Sequence, residues 1–217
     1  MSEMCYRCFK PKSNCLCPYI KEADTGVKFI ILMHPKEAYH QRTGTGRLTA
    51  LCLKDSEILI GVDFTNDPKL NALLENPAYQ PVMLYPGDEA MNAKTLVSQD
   101  RRTLLVVVID GTWPCAKKII RLSKNLQRLP TISFVGDYRS TFTFKREPLP
   151  QCLSTIESCY YLLKELQNAG KARNCDVESM LTVFSKMVGH QMESERERRE
   201  DEERGVSDSF HDRKGRS

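Results

Sequence analysis

The sequence predicts an α/β protein with a mainly parallel sheet and helices on both faces. Two observations carry this. Short apolar runs at 27–33, 57–62, 81–85, 103–109 and 131–135 alternate with segments of helical spacing. The first and fourth are near-continuous in Val, Ile and Leu, as strands covered on both sides require. A length of 217 residues with 41% hydrophobic side chains fits one domain with a small appendage.

The appendage is residues 1–20. Cys5, Cys8, Cys15 and Cys17 form C-x2-C-x6-C-x-C, four of the chain's nine cysteines. In a reducing compartment such clustering favours a metal site over disulfides. Four thiolates suit a closed, structural Zn2+ site; a redox pair or an iron–sulfur cluster are the competing uses. Cys52, Cys115, Cys152, Cys159 and Cys175 lie in apolar contexts and read as core residues. No apolar run approaches the roughly 20 residues that span a bilayer, and the N-terminus lacks the apolar core of a signal peptide. A cytoplasmic protein without membrane contact is expected, and no obligate protein partner is evident.

The remaining elements follow in order. The strand at 27–33 ends in His34-Pro35, and a polar loop leads to a helix from Thr45-Gly46-Arg47 through Leu53. After the strand at 57–62, Asp67-Pro68 opens a short helix with Leu70, Leu73 and Leu74 on one face. The strand at 81–85 stops at Pro86-Gly87, and that at 103–109 runs into Asp110. A helix over 114–126 separates it from the strand at 131–135. Leu153, Ile156, Tyr160, Leu163 and Leu166 predict a long amphipathic helix, and another spans 176–190. Residues 21–192 form the α/β domain; 193–217 form a charged helical extension and a flexible tail, with nine acidic and seven basic side chains. Gly44-x-Gly46 is no dinucleotide fingerprint, because Thr49 holds the third glycine position and the run begins ten residues after a strand.

Asp110-Gly111-Thr112-Trp113 is the candidate site. It places a carboxylate, a hydroxyl and the only tryptophan at a strand's carboxyl end, where ligands of open α/β sheets bind. The competing reading makes Asp110 or Thr112 a cap for the helix that follows. From Gly111 to Gly136 there is no acid, while Lys117, Lys118, Arg121, Lys124 and Arg128 supply five positive charges. Spacings of four, three and four put Lys117, Arg121, Lys124 and Arg128 on one helical face. That suits a stripe tracking phosphates more than a solvated face.

In order, the cysteine cluster, His34-Pro35-x-Glu37, Thr45-Gly46-Arg47-Leu48, Asp110-x-Thr112-Trp113, Tyr138-Arg139-Ser140 and Leu153-Ser154-Thr155-x-Glu157 resemble the DTW-domain family. These are tRNA-uridine aminocarboxypropyltransferases, and the resemblance covers approximately residues 5–165. It implies a SPOUT-like sheet with a C-terminal trefoil knot, a feature ordinary connection rules nearly exclude. It implies transfer of the 3-amino-3-carboxypropyl group of S-adenosylmethionine to N3 of a tRNA uridine, releasing methylthioadenosine.

On that resemblance Asp110 is the general base for the imide proton, with Thr112 beside it and Trp113 stacking on the splayed base. Leu84, Tyr85, Pro86, Gly87, Leu149, Leu153, Ser154 and Thr155, with Asp110, surround the donor. Arg47 and Arg139 meet phosphate or the donor's carboxylate, or else neutralise Glu37, Asp137 or another acid. His34 braces the site, and Ser154 doubles as a helix start. Two other functions remain open: an RNA methyltransferase, which would release S-adenosylhomocysteine, and a non-catalytic zinc-containing RNA-binding protein, in which Asp110 would be inert.

Overall fold

The structure, a computed structural model, describes residues 3–40, 44–87, 89–96, 102–134, 138, 140 and 153–204. Strands β1 (Lys28–Met33), β2 (Ser56–Ile60), β3 (Tyr79–Leu84), β4 (Met91–Asn92), β5 (Thr103–Asp110) and β6 (Thr131–Ser133) form one sheet in the order β2-β1-β5-β3-β6-β4. Every pairing is parallel. Parallel neighbours need crossovers, and the helices supply them: α1 (Pro35–His40), α2 (Gly46–Cys52), α3 (Pro68–Leu74), α4 (Trp113–Leu122), α5 (Thr155–Asn168) and α6 (Glu178–Glu203). At two residues, β4 is too short to show as a periodic run.

Alternation along the strands divides the core into two layers. Phe29, Ile31, Val106 and Val108 face α2, α5 and α6, in one cluster with Leu48, Ile156, Leu163 and Phe184. Ile30, Leu32, Leu105 and Val107 face the other side, with Leu70 of α3 and Ile119 of α4. The N-terminal segment is anchored in the first layer through Cys8 and Leu16. Lys28 is buried and forms ion pairs with Asp55 and Glu57, each at 2.8 Å, which fixes the start of the β1–β2 register.

One helix departs from the sequence reading. Helix α4 ends at Leu122, because Ser123 turns extended and its buried hydroxyl accepts the Phe64 N–H at 3.0 Å. The chain resumes as a single 3-10 turn, Leu126–Arg128. Lys124 and Arg128 therefore leave the helical face that carries Lys117 and Arg121, although all four are exposed. Helix α6 is continuous over 26 residues, and its charged end is laced by pairs such as Arg198 and Arg199 with Glu195. The tail at 205–217 lies outside the described residues. So does the path of the implied knot, since only Tyr138 and Ser140 are described between 135 and 152. No helix among the described residues is long and apolar enough to cross a membrane.

Candidate functional site

The site forms where the central strand β5 ends. Met33 pairs with Asp110, and the His34 N–H donates to the Asp110 carbonyl at 2.9 Å, so β1 and β5 deliver His34 and Asp110 side by side. Asp110 is 4% exposed. Its Oδ1 accepts the Thr155 hydroxyl at 2.5 Å, which ties the strand end to the first turn of α5. The other side of the carboxylate lies on Gly46, the first residue of α2, so closely that a Cβ there would overlap Oδ2 and Cγ. Three separate motifs thus meet at one carboxylate.

The capping reading fares poorly for Thr112. Thr112 occupies the N-cap position of α4, yet its exposed side chain makes no capping bond. Trp113 opens the helix half-buried, with its ring 5.9 Å from Tyr85 and edge-on at 67°. Tyr85 follows β3, so this aromatic pair spans the ends of β3 and β5 beside Asp110. Pro86 and Gly87 are exposed beyond it, whereas Leu84 turns into the core.

His34 is buried, and its Nδ1 accepts the Lys36 N–H at 3.1 Å. Burial holds its pKa below the ordinary histidine value, aided by Lys118 and Lys36. A neutral ring with its proton on Nε2 results. Cys159 beneath the site is fully buried, which raises its pKa, and the nearby Asp110 charge adds to that. Burial likewise raises Tyr85.

The segment before α5 is held by two buried glutamates. Glu157 accepts the Ser154 N–H at 2.9 Å, a capping-box contact, together with the hydroxyls of Ser154 at 2.6 Å and Ser140 at 2.8 Å. Glu165 accepts the Tyr138 hydroxyl at 2.8 Å. Tyr138 and Ser140 therefore serve to pin their segment to α5, while Arg139 and Leu149 lie outside the described residues. Leu153 and Ser154 are half-buried at the same helix start as Thr155.

Arg47 pairs with no carboxylate among the described residues. Its guanidinium donates to the Ala38 carbonyl at 3.3 Å and lies 4.6 Å above the Phe9 ring. Lys117, Lys118, Arg121 and Arg128 also lack an acidic partner among the described residues. Lys124 differs, since its charge helps hold the Asp63 carboxyl down, behind the Thr65 hydrogen bonds.

The four N-terminal cysteines bring their sulfurs within 4.8 Å of one another and could hold a metal ion. Cys5 and Cys17 are 3.6 Å apart, and Cys8 and Cys15 are 3.8 Å apart. An antiparallel bridge between Met4 and Pro11 and a tight turn at Phe9 present the first pair. Backbone N–H groups of Cys8 and Arg7 hold the Cys5 thiol down at about 6, whereas burial and the neighbouring thiols push Cys17 up to about 12. Of the other cysteines, Cys52 and Cys159 are core, Cys115 and Cys175 are half-buried, and Cys152 lies outside the described residues.

Two features escaped the sequence reading. Gly46 was visible as a motif residue, and its signal was a glycine where a helix would otherwise start with a better former; its partner lay 64 positions away. The Arg47–Phe9 contact carried no sequence signal.

The parallel α/β sheet thus brings a buried carboxylate and an aromatic pair to its carboxyl edge, the place where ligands of open α/β sheets bind. The chain belongs to the DTW-domain family, whose model matches residues 2–192. It is 28% identical over 195 residues to tRNA-uridine aminocarboxypropyltransferase 2 of Mus musculus, covering 87% of this chain and 63% of that protein. The Drosophila melanogaster protein of the same name is 28% identical over 82% of this chain and 72% of its own length. Arabidopsis thaliana tRNA-uridine aminocarboxypropyltransferase A is 25% identical over 87% of this chain and 81% of its own. No solved structure matches.

Proposed function

We propose that this chain transfers the 3-amino-3-carboxypropyl group of S-adenosylmethionine to N3 of a tRNA uridine, releasing methylthioadenosine. The family and the relatives' names support the reaction class. The observation that carries it is the carboxylate of Asp110, fixed by Thr155 and Gly46 beside the Tyr85–Trp113 pair.

The chemistry balances with these groups. Asp110 takes the N3 proton, and N3 then forms a bond to the carbon that the sulfonium activates. The carbon–sulfur bond breaks with its electron pair going to sulfur, so the leaving group departs neutral. Trp113 stacks on the uracil ring, while Tyr85 to Gly87 and Leu153 to Thr155 flank the donor. Exposed Lys117, Arg121, Lys124 and Arg128, together with Arg47, meet the tRNA backbone.

The metal is Zn2+, held by Cys5, Cys8, Cys15 and Cys17. Thiolates about 2.3 Å from one tetrahedral ion sit roughly 3.8 Å apart, close to the pair separations here. With all four positions taken by protein, the ion stabilises the N-terminal segment and takes no part in chemistry.

The test is Asp110→Asn in single-turnover transfer. Asparagine can still accept the Thr155 hydroxyl but cannot take the imide proton, so the rate should fall by about 10²-fold or more with the fold intact. Transfer at the wild-type rate would refute the base assignment. S-adenosylhomocysteine in place of methylthioadenosine would refute the reaction.

A further inference from the structure

We infer that the groove between the N-terminal cysteine segment and helix α2 docks an unpaired stretch of RNA, outside the Asp110 crevice. The inference rests on the tRNA reading above. The groove has a volume of about 320 Å³ and is lined by the apolar Leu51 and Ile58 together with Arg7, Phe9 and Arg47. Its size is at the lower end of ligand sites, roughly 300–1,000 Å³.

Phe9 is the informative residue. It sits at φ 56°, in the left-handed region, with its side chain on the surface and the residue 54% exposed. Glycine takes that conformation without penalty, whereas a bulky residue there is a true outlier. The turn alone would favour glycine, so the ring is kept for something else. Arg47 already stacks on one part of it at 4.6 Å. An aromatic face joined to a guanidinium plane is how proteins hold unstacked bases. Neither Arg7 nor Arg47 pairs with a carboxylate among the described residues, so the lining complements phosphate. Tyr6, beside Arg7, offers a second aromatic ring at 89% exposure.

The groove is also close to the site. Gly46 touches Asp110, and from there to Leu51 along α2 is about 7.5 Å of helix rise. RNA threading past Asp110 would meet it within a few nucleotides.

The experiment measures tRNA affinity by fluorescence anisotropy for the full-length, metal-loaded protein. Phe9→Gly removes the ring and relieves the backbone, so it should fold at least as well as the wild type. Its tRNA dissociation constant should rise roughly 5- to 150-fold, the span of one base stacking on an aromatic ring. Arg7→Ala should weaken binding and flatten its salt dependence. Affinity for S-adenosylmethionine should be unchanged in both. A short single-stranded oligonucleotide should compete in the wild type and lose that ability in Phe9→Gly. Wild-type affinity in both variants, with wild-type protein binding and modifying tRNA, overturns the groove alone. Altered self-association without altered RNA affinity also overturns it, assigning the face to a second copy. Wild-type protein that binds no tRNA removes the underlying reading as well.

Discussion

Gly46→Ala should destabilise the protein through Asp110 alone. At the start of a helix, alanine ordinarily improves on glycine by up to about 1 kcal/mol. Gly46 has no left-handed backbone to protect, so local conformation favours the change. The opposing effect is contact: the new Cβ overlaps Oδ2 and Cγ of Asp110 and comes within 3.0 Å of Oδ1. The carboxylate cannot simply swing aside, because Thr155 holds Oδ1 at 2.5 Å and the residue is buried. Overpacking of this kind costs about 1–3 kcal/mol. A net loss of about 1–2 kcal/mol follows, or roughly 2–8 °C in Tm for a chain of this size. The assay is urea unfolding of Gly46→Ala, Asp110→Ala and the double variant. With Asp110 truncated the overlap vanishes, and Gly46→Ala should become neutral or stabilising. The coupling energy should therefore be about 1–3 kcal/mol. A coupling near zero, or a stabilised single variant, would refute the packing argument.

Three further outcomes are expected. Metal analysis of purified protein should find near-stoichiometric zinc, and Cys5→Ser combined with Cys15→Ser should remove it with a loss of thermal stability before any loss of chemistry. Replacing Lys117 and Arg121 with Ala should reduce the salt slope of tRNA binding by about 2, one per lost phosphate contact, and leave donor affinity unchanged. Because His34 has a depressed pKa in the fold, the unfolded chain takes up its proton first as pH falls below about 6.5, so stability should decline from there. In His34→Asn, which keeps an acceptor for the Lys36 N–H, that part of the acid decline should vanish from the urea-unfolding profile.

What the sequence disclosed was what local pattern encodes. Apolar runs such as that at 103–109 are strands because nothing in them suits solvent on either face, and β5 lies between β1 and β3. The spacing of Cys5, Cys8, Cys15 and Cys17 encodes a cluster because short loops leave little freedom. Thr155 was recognisable as a motif residue, but not as the donor to Asp110, since the pair is 45 positions apart. The basic stripe was misaligned for a related reason. Periodicity continued through Lys124 and Arg128, while the helix stopped where a tertiary bond from Phe64 captured Ser123.

The layout of positive charge bears on what can occupy the edge at Asp110. Helix α4 packs through Ile119 on one face of the sheet and carries Lys117 and Arg121 outward. Helix α2 packs through Leu48 on the opposite face and carries Arg47 toward Phe9. Both helices start at the carboxyl end of β5, one with Trp113 just after Asp110 and the other with Gly46 against it. Cationic side chains thus flank the edge at Asp110 from two sides of the sheet. The proposed tRNA substrate, lying across the edge, would meet both flanks at once, and its binding should then respond additively to changes on α2 and α4, which pack on opposite faces of the sheet.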